Sequence, residues 1–179
     1  AENTIALARL TLECLIGEDQ TCASLLAWLD QMARLNTLVL PDVPALTQSR
    51  RVFERSLIAS LGGEDLASSV GHSLRAVRNA GSAVRERLSY EHWNLIERVD
   101  SELVRAFASL SSPADFSTLD ALDLLKRLGR HMAAITGAQT DRMTRDDGWR
   151  LLSIGRHVER LGFLASSLSA GLETGSVCN

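Results

Sequence analysis

Several features are scarce in this chain of 179 residues, and each scarcity excludes a class of protein. Lys126 is the only lysine, so nearly all positive charge comes from arginine, which suits planar, bidentate pairing with carboxylates or phosphates. The formal net charge of −3 argues against a general binder of nucleic acid or of anionic membranes. No apolar run is long enough to span a bilayer, and no signal peptide is visible. We therefore expect a cytoplasmic protein that binds neither membranes nor nucleic acid.

Cysteine is also scarce, and its spacing excludes two common uses. Cys14, Cys22 and Cys178 form no Cys-x-x-Cys pair and show no zinc-finger spacing. Their number is odd, which is not typical of a disulfide framework. We expect reduced thiols, as in proteins of a reducing compartment.

Proline is rare and β-strand patterns are missing, so the remaining sequence is predicted to be helical. The prolines lie at positions 41, 44 and 113, each in an expected connection between helices. The periodicity predicts helices at about 2–16, 20–38, 47–61, 64–88, 90–110, 118–135 and from Thr144 to about 170. Short connections between long helices predict an all-α, antiparallel bundle of about seven helices that forms a single domain over residues 1–179.

Helix ends are predicted from capping residues and glycines. Expected N-terminal caps are Asp19, Ser89 and the capping box Thr144-x-x-Asp147, and expected stops are Gly17, Gly62-Gly63 and Gly137. The chain starts at Ala1, without methionine and already inside a helical pattern. We therefore expect a chain cut within a helix of a longer protein. The last residues are expected to form a frayed tail.

The stretch MTRDDGWRLLSIGRHVERLGF, residues 143–163, holds charged residues among large apolar ones. At 100° per residue, an apolar arc of the last helix is predicted to hold Leu151, Ile154, Val158, Leu161 and Ala165. The solvent face is predicted to hold Asp146, Arg150, Ser153, His157 and Arg160. A third stripe follows a 3-4-3-4 spacing and contains Trp149, Leu152, Arg156, Glu159 and Phe163. This spacing places Arg156 and Glu159 at the boundary of the core.

A line of glycines runs beside this stripe. Gly148, Gly155 and Gly162 repeat every seven residues, although glycine costs about 1 kcal/mol inside a helix. The repeat indicates that something approaches the helix backbone closely. A packed neighbouring helix and a ligand are both open interpretations.

Two arginines of the fourth predicted helix are candidates to pair with the last helix. Arg78 and Arg85 lie seven residues apart and flank an apolar arc. A buried arginine requires a partner, and Glu159 is the obvious candidate. We expect these two helices to pack together with an Arg/Glu network between them. The network is interpreted either as a structural ion-pair cluster or as an anion-binding or catalytic cleft.

Other chemistry lacks a sequence pattern. The histidines are His72, His92, His131 and His157, and none belongs to an inward-facing Glu-x-x-His pair, so no metal site is expected. No P-loop or dinucleotide fingerprint is present, so no cofactor is expected. No serine or cysteine has a local base and orienting acid. The sequence therefore leaves open whether the protein is an enzyme.

Two stretches carry a resemblance to a known family. A pattern within residues 143–160 is similar to a signature of the bacterial alpha-E family. It consists of Met143, Thr144, Arg145, Gly148, Trp149, Arg150, Leu152, Gly155, Arg156, Glu159 and Arg160. RNAGSAVRERLSYEHW resembles a second signature, with Arg78, Arg85, Glu86, Leu88, Ser89, Glu91 and Trp93 in place. Leu151 replaces the usual aromatic residue, and Arg78-Asn79-Ala80-Gly81-Ser82 departs from the usual Arg-Glu-Asn-Ala-Arg. Ala1-Glu2-Asn3-Thr4 resembles the second half of an earlier family segment.

The resemblance implies association with an amide-ligase system. Alpha-E proteins are found fused to, or encoded beside, circularly permuted ATP-grasp proteins, which join carboxylates to amines. The first expectation is a non-catalytic helical module that binds an ATP-grasp-type protein or domain, in cis or in trans.

Two alternatives remain open. One is an anion-binding or catalytic domain, in which Arg78, Arg85, Arg145, Trp149, Arg150, Arg156 and Arg160 hold a ligand and Glu159 orients an arginine or acts as a base. The other is a symmetric homodimer, with the glycine line at its interface.

Overall fold

The computed structural model describes residues 1–17, 22–63, 69–108 and 116–176, without the side chains of residues 141 and 142. Within these ranges there are seven α-helices and no β-strand, so the predicted all-α class is confirmed. The helices are α1 (Glu2–Ile16), α2 (Ala23–Leu35), α3 (Arg50–Leu61), α4 (Val70–Ala83), α5 (Tyr90–Ala108), α6 (Thr118–Arg142) and α7 (Asp147–Glu173). A short 3-10 turn, Arg85–Arg87, joins α4 to α5.

The core is centred on α6, which packs along α1 on one side and along α5 on the other. Its inward residues are leucines at helical spacing, including the fully buried Leu124, Leu125 and Leu128. Phe53 from α3 and Leu12 from α1 are also fully buried. Helix α4 packs on α5, and α7 packs chiefly on α2. The α7 contact includes a hydrogen bond of 2.9 Å from Trp28 Nε1 to the Ser167 carbonyl oxygen.

Several predicted helix ends agree with the structure, and others are wrong. Helix α1 ends before Gly17, and α3 ends before Gly62. The Ser89 hydroxyl accepts a hydrogen bond from the His92 backbone N–H at 3.1 Å, as expected of a cap of α5. Gly137 does not end α6, which continues for five more residues, because Gly137 does not adopt the positive φ of a glycine that stops a helix. The predicted fourth helix breaks after Ala83 into the 3-10 turn.

The cap of α7 also differs from the predicted one. Its N-cap is Asp146, whose carboxylate accepts a hydrogen bond from the Trp149 backbone N–H at 2.9 Å. Thr144 therefore lies outside the helix. The predicted cap Asp19, the first part of the predicted fourth helix, Pro113 and Cys178 lie outside the described residues.

The orientation of α7 reverses the predicted one. Leu151, Ile154, Val158 and Leu161, predicted to face the core, are exposed to solvent. Most of the stripe predicted to lie at the core boundary faces the bundle: Phe163 is partly buried against the core, and Trp149, Leu152 and Arg156 are half-buried. Glu159, also predicted at this boundary, is exposed. None of the described helices combines the length and apolar character needed to cross a bilayer.

Candidate functional site

Two distant parts of the chain meet where α7 begins. The Arg87 guanidinium, in the 3-10 turn after α4, forms an ion pair with the Asp146 carboxylate at the N-cap of α7. Asp146 also accepts the hydrogen bond from the Trp149 backbone N–H. That hydrogen bond, together with the nearby Arg87 charge, lowers the pKa of Asp146 below its ordinary value. The ion pair thus joins the two stretches that carry the family resemblance.

The tryptophans of these stretches have similar environments. Trp149 Nε1 donates a hydrogen bond of 3.2 Å to the Gln139 carbonyl oxygen, and the Arg145 guanidinium lies 5.5 Å from the centroid of the Trp149 ring. The Arg85 guanidinium lies 5.3 Å from the centroid of the Trp93 ring. Both distances fall within the range of cation–π attraction. Arg85 and Arg145 therefore have aromatic partners within the fold.

A cavity of about 580 Å³ lies at this junction, which we call the His92 cavity. Its lining comes from α4, the 3-10 turn, α5, the end of α6 and the start of α7: Val77, Ala80, Gly81, Val84, Arg87, Leu88, His92, Ile96, Gln139, Met143, Thr144, Asp146, Gly148 and Leu152. His92 is 3% exposed, and its Nε2 atom is buried without a hydrogen-bond partner. Burial lowers the pKa of His92, so the imidazole is neutral near pH 7.

The predicted pairing between an arginine of α4 and Glu159 is not formed. Glu159 Oε1 accepts a hydrogen bond of 3.4 Å from Asn3 Nδ2. It also lies 3.7 Å from the Ala1 backbone nitrogen, so its neighbours come from α1. Arg78 instead forms an ion pair of 3.5 Å with Asp100 of α5. Arg78 pairs with α5 and not with α7 because α4 packs along α5.

The predicted ligand-binding residues divide into separate groups. Arg156, Glu159 and Arg160 line one cavity of about 170 Å³ together with the start of α1. Arg160 lies 4.0 Å from Glu2, Glu159 is exposed and Arg156 is half-buried. Arg150 lies on the surface, 3.3 Å from Asp147. Arg78, Arg85 and Arg145 lie elsewhere, so no single cleft gathers all the predicted arginines.

A third group of charges was not predicted from the sequence. Glu102 Oε1 accepts a hydrogen bond of 2.6 Å from Arg127 Nε, and Glu102 Oε2 lies 2.9 Å from His131 Nε2. Arg98 and Arg105 line the same open cavity of about 450 Å³. These residues come from α5 and α6 and lie far apart in the chain. Their helical spacing, every three or four residues on each helix, is the only sequence signal of this cluster.

One solvent-facing stripe of α7 is apolar from Leu151 to Leu172. This outer face consists of Leu151, Ile154, Val158, Leu161, Ala165, Leu168 and Leu172. Its six large residues are 58–70% exposed. Gly155 and Gly162 lie beside it, with nothing within 4 Å of a Cβ built on either one. Contiguous apolar surface of this kind is typical of an interaction site.

A model of one protein family matches nearly the whole chain. The model of the Alpha-E family, described as "a predicted alpha-helical domain with a conserved ER motif", matches residues 1–178. Uncharacterized protein Rv2567 of Mycobacterium tuberculosis and Uncharacterized protein Mb2597 of Mycobacterium bovis are each 27% identical to the chain over 110 residues. The match covers 62% of this chain and 12% of each relative. No solved structure matches the chain significantly.

Proposed function

Because this chain belongs to the Alpha-E family, we propose that it is a cytoplasmic helical accessory module of an ATP-grasp-linked, amide-bond-forming system. In this role it binds a partner protein or domain and does not itself perform the chemistry. The family resemblance supplies the link to ATP-grasp proteins. The outer face of α7 is the observation that supports a binding role.

The spacing of the outer face is that of a helix-pairing seam. Its seven residues follow a 3-4 alternation from Leu151 to Leu172, which is the a/d pattern of a coiled coil. A single soluble chain gains nothing by exposing such a seam, since burial of apolar surface contributes about 25 cal/mol per Å². A second amphipathic helix that packs along α7 removes this surface from water.

The glycines beside the seam determine how closely such a helix can approach. Gly155, Gly162 and Ser169 repeat every seven residues along one edge of the outer face, whereas Gly148, the first glycine of the predicted line, lies against Arg87 and Asp146. Small residues allow interhelical distances near the lower end of the usual range of about 8–10 Å. The seam itself contains no charged residue, so the complementary helix is expected to be apolar and uncharged along its contact stripe.

We assign this helix to the ATP-grasp-type partner. The chain matches only 12% of the length of its mycobacterial relatives, so in those proteins the matched region is joined to a much longer chain. A partner helix supplied in cis or in trans fits that arrangement. A second copy of this chain is the competing occupant.

Sedimentation velocity tests the proposal with the purified circularly permuted ATP-grasp protein encoded in the same genome. We expect a complex with the wild-type chain, and at least a tenfold weaker complex with Leu161→Glu. The control is Leu119→Glu, which places the same charge at a leucine that is 71% exposed on α6. The control variant is expected to bind like the wild type.

Three results would overturn the proposal. The first is that no complex forms with the ATP-grasp protein. The second is that both variants bind equally well. The third is that the chain alone forms a dimer which Leu161→Glu dissociates, because the occupant of the outer face is then a second copy.

The Glu102 cluster supports a second candidate, the binding of an anionic substrate. Arg98, Arg105, Arg127 and His131 line one open cavity with Glu102, and Arg127 also pairs with Asp123. Arginines suit phosphate and carboxylate ligands. Titration with inorganic phosphate, followed by NMR, tests this candidate. Arg105→Gln is expected to weaken binding, while Arg9→Gln, at an exposed arginine of α1, is expected to leave it unchanged. Equal binding by the two variants contradicts the candidate.

A further inference from the structure

We propose that the His92 cavity is a binding site for an uncharged, mainly apolar small molecule whose hydroxyl group hydrogen-bonds to His92 Nε2. This site is separate from the outer face of α7, and the proposal does not depend on the proposed partner. It rests on three properties of the cavity: its size and lining, its charge balance and its unpaired nitrogen.

The size and lining of the cavity fit a small organic molecule. Its volume of about 580 Å³ lies within the usual range for ligand sites, about 300–1,000 Å³. Most of its lining residues are apolar, with Val77, Val84, Leu88, Ile96 and Leu152 among the contributors. Such a lining favours an apolar molecular body by removing that body from water.

The charge balance of the cavity disfavours an ion. Arg87 and Asp146 are the charged residues of its described lining, and they form an ion pair with each other. A charged ligand would enter a mainly apolar space without a free counter-charge, which is costly. Gln139 and Thr144 add neutral polar groups to the lining.

The unpaired nitrogen determines which polar group the ligand carries. His92 Nε2 is buried and has no hydrogen-bond partner, although buried polar atoms are nearly always paired. In a neutral imidazole this nitrogen is a donor in one tautomer and an acceptor in the other. A hydroxyl can donate or accept, so it satisfies His92 in either tautomer.

NMR titration of the chain with three probes tests the proposal. The probes are p-cresol, which has an apolar ring and a hydroxyl, toluene, which lacks the hydroxyl, and p-toluate, which is an anion. We expect p-cresol to bind at least five times more tightly than toluene and to shift resonances of His92. We expect p-toluate to bind most weakly.

Two variants separate the cavity from the hydrogen bond. Ala80→Phe introduces a ring from an exposed position of α4 that lines the cavity, and it is expected to abolish binding of p-cresol and toluene. His92→Phe removes the nitrogen, and it is expected to bring p-cresol down to the affinity of toluene. Ala59→Phe, at an exposed alanine of α3, is the matched control for Ala80→Phe and is expected to bind both probes normally.

The proposal is overturned if p-cresol does not bind at its solubility limit. It is also overturned if p-cresol and toluene bind the wild type equally, or if p-toluate binds more tightly than p-cresol. Should His92→Phe fail to fold, Ala80→Phe and Ala59→Phe still decide the location of the site. Unchanged p-cresol binding in Ala80→Phe contradicts the assignment to this cavity.

Discussion

At the residue scale, Asp146 connects two parts of the chain that are distant in sequence. Its carboxylate caps α7 through the Trp149 N–H and pairs with Arg87 in the turn after α4. One side chain therefore sets both the start of α7 and its attachment to the α4–α5 junction. The same side chain also lines the His92 cavity.

Replacement of Asp146 separates capping from charge. Asp146→Ala is expected to lower the melting temperature more than Asp146→Asn, because asparagine retains the capping oxygen and loses only the ion pair. Thermal unfolding followed by circular dichroism at pH 7 measures the difference. Equal melting temperatures for the wild type and both variants would show that the cap contributes nothing.

The pH dependence of the Asp146 contribution has a definite sign. The pKa of Asp146 is lowered in the folded chain, so its charge stabilises the fold above the ordinary pKa of about 3.8. This stability is lost as the pH falls through the folded pKa. The difference in melting temperature between wild type and Asp146→Asn is therefore expected to shrink below about pH 3.8. A difference that stays constant down to pH 2 contradicts the assignment.

His92 has a pH dependence of the same sign, at a higher pH. Its pKa is lowered by burial, so the unfolded chain takes up a proton near pH 6.5 before the folded chain does. Stability from the neutral imidazole is fully present above about pH 6.5 and falls as the pH decreases toward the folded pKa. His92 also lines a second cavity, of about 530 Å³, on the side of Ala134 and Gly137. The charged groups near His92 are Arg87 and Asp146 in the His92 cavity and Glu91 and Arg98 in this second cavity.

Melting temperatures between pH 8 and pH 5 measure this effect. The wild-type chain is expected to lose stability over this range, and His92→Gln is expected to show a smaller loss. The control is His157→Gln, at an exposed histidine of α7, which is expected to follow the wild type. If His92→Gln and His157→Gln give the same profile, burial of His92 is not the cause.

At the element scale, the sequence predicted the helices well and the orientation of α7 poorly. Helical periodicity, glycine stops and Ser89 located most elements, because these signals are local. The same periodicity shows that α7 has an apolar arc but not what covers it. The structure buries the stripe that contains Phe163 and leaves the purely apolar arc exposed. The sequence of α7 alone does not show which of the two stripes faces the core.

The candidate site was predicted only in part, for a related reason. The two signature stretches do meet, but through Arg87 and Asp146 and not through Arg78 and Glu159. The His92 cavity and the Glu102 cluster are each formed by side chains from separate helices. The residue spacing within one helix does not indicate which residues of another helix lie next to it. These two sites could therefore be identified only from the three-dimensional structure.

Alanine substitutions at neighbouring positions of α7 test its orientation. Phe163→Ala is expected to destabilise the fold by about 1–3 kcal/mol, less than for a fully buried phenylalanine, because Phe163 is only partly buried. Leu164→Ala is the control, since Leu164 is 51% exposed, and its effect is expected to stay within about 0.5 kcal/mol. Urea unfolding measures both. A larger effect at Leu164 would show that α7 is oriented the other way.

At the scale of the whole molecule, the chain combines a well-formed core with one unusual surface. Helices α1, α5 and α6 bury a shared set of apolar side chains without help from the outer face of α7. That face extends over most of a 27-residue helix and resembles half of a helix pair. We propose that this face is the one that binds the ATP-grasp-type partner.

Site-specific photo-crosslinking tests that claim most directly. The photoreactive residue p-benzoylphenylalanine replaces Val158 on the outer face, or Val52 on α3 as a control at another exposed valine. Each variant is irradiated with the purified ATP-grasp protein from the same genome. The account predicts a crosslink to the ATP-grasp protein from position 158 and none from position 52. No crosslink from position 158, a crosslink of equal yield from both positions, or a crosslink from position 158 to a second copy of the chain contradicts it.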